Sequence, residues 1–76
     1  MIEPNELEQR LKAAFPDAQI RLEDLTGTKD HYQAEIISNA FAGLSPVAQH
    51  QLVYQALAEE MKGPIHALSL KTRTPE

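Results

Sequence analysis

Three histidines, His31, His50 and His66, are the side chains of this 76-residue chain that change charge near neutral pH and offer a neutral ring nitrogen to a metal. The sequence contains no cysteine, so neither a disulfide nor a zinc or iron-sulfur site built on its own thiolates can form. Each histidine also has a plain reading. His50 precedes Val53, Tyr54 and Leu57 at helical spacing, which sets it on or beside an apolar stripe as a packed or hydrogen-bonded side chain. His31 follows Lys29 and Asp30 at the end of a polar turn, where a solvated loop histidine is the default. His66 opens the run "IHALSLKT", whose alternating small and apolar residues read as a buried strand.

What these residues can do depends on the elements that carry them. In "EPNELEQRLKAAF", Leu7, Leu11 and Ala14 share one face of an amphipathic helix, with Pro4 in its first turn, Glu6 and Glu8 near its N-terminus and Pro16 as its stop. "DAQIRLEDL" alternates, with Ala18, Ile20 and Leu22 on one side and Gln19, Arg21 and Glu23 on the other. "TGTKD" turns the chain around Gly27, and "HYQAEIIS" alternates again, so the two strands form an antiparallel hairpin. "NAFAGL" is a helical turn or loop that anchors Phe41. Ser45 then caps, and Pro46 begins, one long helix that runs to Gly63 and Pro64 with Leu52, Val53, Ala56, Leu57 and Met61 inward. A third strand and the polar tail 73–76 follow.

Two strands separated by a helical crossover pair in parallel, so the expectation is an α+β domain of order α-β-β-α-α-β, a three-stranded mixed sheet with helices on one face. It forms a single domain over 1–76, with its core about 4–72. The same topology brings the first residues of strands two and three to one end of the sheet. His31 and His66 become neighbours, half of a metal site suited to iron, zinc or copper. Alternation groups His31 with Gln33 and Glu35, whereas it groups His66 with Leu68 and Leu70.

Other chemistries find no support. Ser38, Ser45 and Ser69 lack the setting of a nucleophile elbow, and no glycine-rich loop precedes a helix to cradle phosphate. Glu59 and Glu60 read as solvated charges on the polar side of the long helix. A net charge of -4 disfavours general attraction to nucleic acid, and Lys62, Lys71 and Arg73 make only a thin basic end. No apolar run reaches the length of a membrane span, and "MIEPNELEQR" is acidic without an apolar leader, so the expected setting is cytoplasmic. No catalytic apparatus is expected, and the free chain is expected to be a monomer or a weak homodimer through an open sheet edge.

The segment "ISNAFAGLSPVAQHQLVYQALAEEM" followed by "IHALSLKTRTPE" resembles the signature of the BolA-like family. The resemblance covers about residues 18–76, with Phe41, Gly43, Ser45, His50, Val53, Leu57, His66, Ala67, Lys71, Thr74 and Pro75 in order. It implies a class II KH-like fold and a partnership with a monothiol glutaredoxin, in which a [2Fe-2S] cluster is shared. The partner and glutathione would supply thiolates and this chain His66 from the start of the last strand. A second ligand in that family comes from the loop between the first two strands, for which His31 is the candidate here. The role implied is an adaptor in iron-sulfur cluster trafficking or iron regulation. The resemblance also implies an alternative, a DNA-binding transcriptional regulator acting in stress response or morphology. Here Gln49 and Gln51 flank His50 where the family usually carries arginines, and no Gly-x-x-Gly loop is present.

Overall fold

Prolines bracket the first helix. In the computed structural model, which describes residues 2–63, 65 and 67–75, α1 spans Pro4–Ala14 with Pro4 in its first turn, where a missing N–H costs no helical bond. Leu7 and Leu11 point into the core. Phe15 ends the helix by donating its N–H to the Leu11 carbonyl at 2.8 Å, and Pro16 follows.

The sheet has the expected composition and direction. Strands β1 (Gln19–Asp24) and β2 (His31–Ile37) are antiparallel, β3 (Ala67–Arg73) pairs with β2 in parallel, and the order is β1-β2-β3. β2 is therefore central, and alternation along it sets the two faces of the domain. Tyr32, Ala34 and Ile36 are fully buried beneath the helices. Their cross-strand partners complete inner rows of Leu22, Ala34 and Leu70 and of Ile20, Ile36 and Thr72. The opposite face carries Arg21, Glu35 and Lys71 in one row and Glu23, Gln33 and Ser69 in the next.

The crossover is anchored first by a 3-10 turn at Asn39–Phe41. Phe41 is fully buried, with its ring 5.4 Å from that of Phe15. Asp17 holds this turn from outside: one carboxylate oxygen accepts the Ser38 hydroxyl and the other the Asn39 N–H, each at 2.7 Å. Those bonds, the Asn39 N–H first and the Ser38 hydroxyl second, hold the Asp17 carboxyl below the usual carboxylate range.

Ser45 caps the next helix as expected, its hydroxyl accepting the Ala48 N–H at 3.2 Å. The long helix, however, is bent into α2 (Pro46–Ala56) and α3 (Ala58–Lys62) at Leu57. The ladder continues across the bend, because Leu57 donates to Val53 and accepts from Met61. The first half packs against both β3 and α1. Along α2, Gln49 accepts the Thr72 hydroxyl at 2.7 Å and the Tyr54 hydroxyl donates to the Leu68 carbonyl at 3.3 Å, so this half follows β3. In α3, Glu60 turns to α1 and meets Arg10 at 3.5 Å. Glu60 is thereby corrected from a solvated charge to a buried one, 7% exposed, whereas Glu59 is exposed. Its backbone carbonyl also closes the helix end by accepting the Gly63 and Ile65 N–H groups.

Two outcomes test this packing. Phe41→Ala removes a fully buried ring, and chemical denaturation should show a loss of about 3–5 kcal/mol. Asp17→Ala should destabilise the fold at neutral pH. Because the folded carboxyl titrates below its ordinary value of 3.8, the bonds contribute fully above that value and are lost as pH falls through the lower folded one. The stability gap between native and variant proteins, measured by denaturant midpoint, should therefore shrink below about pH 4.

Candidate functional site

Asp24 organises the loop that leads into the candidate edge. Its two carboxylate oxygens accept the backbone N–H groups of Gly27 and Lys29, each at 3.0 Å. Both of those residues occupy the left-handed region, with φ of 76° and 61°. Glycine does so freely; the lysine is held there by its surroundings. Its carbonyl accepts the Ile2 N–H at 2.9 Å, and its ammonium meets Glu3 at 2.7 Å, a bond that raises its pKa. The N-terminal segment thus straps the loop, and the buried Tyr32 hydroxyl secures the strap by donating to the Ile2 carbonyl at 2.6 Å. Burial raises the pKa of that phenol and keeps it a neutral donor.

His31 opens β2 beyond this loop, with about a third of its side chain, 34%, exposed. Its Nδ1 lies 2.9 Å from Asp30 Oδ1, the oxygen to which the Thr28 hydroxyl also donates. The Thr28 bond first, and then the His31 bond, hold the Asp30 carboxyl below the usual range. Two backbone bonds anchor the same place: His31 O accepts the Leu25 N–H at 2.8 Å, and Asp30 O accepts the Ala67 N–H at 3.1 Å.

The parallel register makes His31 the direct partner of Ala67. Alternation along β2 sets His31 with Gln33 and Glu35 on the face away from the core, as the sequence pattern implied. His66, the other candidate ligand, lies outside the described residues, as does Pro64. The β3 side of the edge is therefore defined by Ala67 and by Ile65, which is buried in the core. His50 belongs to a separate element, half-buried on α2.

Among the described residues, no three histidine or acidic side chains gather as a metal site. Among the described residues, two exposed large hydrophobics flank this end of the sheet: Leu25, 51% exposed, beside His31, and Tyr54, 40% exposed, beside Leu68. On the open face, Glu35 stands between Arg21 and Lys71, so the cations are interleaved with an acid. No helix among the described residues is long and apolar enough to cross a membrane.

The sequence reading missed Asp30. Successive residues of a strand point to opposite faces, so an adjacent aspartate is not an expected partner for His31. Asp30, however, lies in the turn just before β2, outside the alternating run, and its carboxylate is held by the Thr28 hydroxyl.

Residues 6–76 match the family model described as BolA-like protein. The chain is 45% identical over 71 residues to the uncharacterized protein RP812 of Rickettsia prowazekii, covering 93% of this chain and 92% of that one. It is 46% identical over 50 residues to the DNA-binding transcriptional regulator BolA of Vibrio cholerae, covering 66% of this chain and 47% of that one. It spans only 36% of the length of the BolA-like protein 1 sequences of mammals. Among solved structures, BolA1 from Arabidopsis thaliana superposes with a TM-score of 0.84 at 30% identity, covering 97% of this chain and 95% of that one.

The loop itself is testable. Asp24→Ala should accelerate amide hydrogen exchange at Gly27 and Lys29 by about five-fold or more, the effect of losing about 1 kcal/mol per bond. Amides in the middle of β2 should retain their native protection.

Proposed function

The chain belongs to the BolA-like protein family, and on that premise we propose that it is a cytoplasmic, non-enzymatic adaptor that shares a [2Fe-2S] cluster with a monothiol glutaredoxin. The partner and glutathione supply thiolates, while this chain supplies His66 and, as second ligand, His31. The observation that carries this reading is the register of β2 with β3. His31 pairs with Ala67, the residue that follows His66 in the sequence. A chain without cysteine would join such a cluster through non-thiolate donors, among which imidazole suits iron, with the thiolates coming from elsewhere. Leu25 and Tyr54 supply exposed apolar surface beside the histidine edge for the docked partner.

A nucleic-acid reading draws on the name of the Vibrio relative. The net charge of -4 and the interleaving of Arg21 and Lys71 with Glu35 favour the adaptor reading over it. Retention on duplex DNA that weakens with salt and with loss of Lys71 or Arg73 would favour the regulator instead.

The direct test mixes the chain with a monothiol glutaredoxin, glutathione, iron and sulfide, and follows visible absorption and circular dichroism. The native chain should give a heterodimer spectrum distinct from that of the glutaredoxin alone. His66→Ala should abolish it, and His31→Ala should alter or abolish it. Leu25→Glu should leave the fold intact and weaken heterodimer formation about tenfold or more. An unchanged glutaredoxin spectrum and size in the presence of the native chain would refute the reading.

A further inference from the structure

Asp30 supports the histidine edge in two separate ways. Its side chain bonds the His31 ring, and its backbone carbonyl accepts the N–H of Ala67 at the start of β3. We propose that Asp30 is a positioning residue: its carboxylate takes the Nδ1–H of His31 and thereby selects Nε2 as the nitrogen that ligates a metal. The ligand half of this statement rests on the reading of His31 given above; the orientation half does not.

The argument is one of proton inventory. An ionised carboxylate has lone pairs and no proton, so a contact of 2.9 Å between Asp30 Oδ1 and His31 Nδ1 requires the proton to sit on the nitrogen. A neutral imidazole carries only one such proton, and Nε2 then holds the lone pair. The carboxylate is in turn held by the Thr28 hydroxyl, whose oxygen also lies 2.6 Å from that of Thr26. A chain of three hydroxyl and carboxylate groups thus ends on one ring nitrogen. Metal-binding histidines are commonly backed in this way, and loss of the backing group typically costs 10–100-fold in metal affinity.

Asp30→Ala separates the two functions of the residue, since the carbonyl that accepts the Ala67 N–H belongs to the backbone and remains. The measurement is nitrogen-proton correlation of the histidine rings in the 15N-labelled chain at about pH 8, above the ordinary histidine range, with His31→Gln used to assign the signals. Native His31 should carry its proton on Nδ1. Asp30→Asn, which keeps an acceptor oxygen, should retain most of that tautomer, and Asp30→Ala should shift the population toward Nε2–H. Backbone amide signals of β2 and β3 should persist in both variants. A native ring protonated on Nε2, or an Asp30→Ala ring indistinguishable from the native one, overturns the proposal.

Cluster titration with the glutaredoxin then tests ligation separately. Asp30→Ala should lower the apparent affinity about 10–100-fold, with Asp30→Asn closer to the native chain. If the ring tautomers behave as expected while the native chain forms no mixed complex, the ligand role of His31 is overturned and the orientation of its ring by Asp30 is upheld.

Discussion

A parallel pair of strands cannot be joined by a tight turn, and the pairing of β2 with β3 is the constraint on which the rest of this domain depends. The chain must leave the far end of β2, cross the sheet and return to the near end. Everything from Ser38 to Ile65 meets that requirement. Asp17 and Phe41 turn the chain off the strand, and Ser45 starts the helical return. The crossover packs against both β3 and α1. The same constraint gives the sheet one crowded and one open face, because the crossover covers only the side on which Tyr32, Ala34 and Ile36 lie.

The starts of β2 and β3 lie together at one end of the sheet. Strand starts are the places where backbone pairing runs out and side chains can address another molecule. Here the Asp24 loop, the N-terminal strap and the Asp30–His31 contact stiffen that end, although the loop itself is solvent-exposed over much of its length. A ring held in one orientation has less freedom to lose in any later contact.

Much of this was legible in the sequence because the informative signals were local. Alternation in β1 and β2, prolines at helix starts and the Ser45 cap each specify their element without knowledge of the others. The crossover rule then supplied the parallel pairing. What escaped were properties set by contacts between elements. Glu60 looks like its neighbour Glu59 in sequence, and only the approach of α1 with Arg10 makes it buried. The bend at Leu57 has no proline or glycine to announce it. Asp30 escaped for the opposite reason: it is the immediate neighbour of His31, and it lies in the turn before β2, where alternation makes no forecast.

The separation in sequence between β2 and β3 also orders events while the chain is being made. β1 and β2 can meet as soon as their hairpin emerges, a local closure with little entropy to overcome. β2 acquires its second neighbour only after the whole crossover has been synthesised, so residues 67–73 arrive to a surface that has been waiting with one side unpaired. The histidine edge is thus a late product of biosynthesis. A nascent chain exposes His31 well before the β3 backbone can dock at Asp30, and this order delays assembly of the edge until the apolar centre beneath it can close.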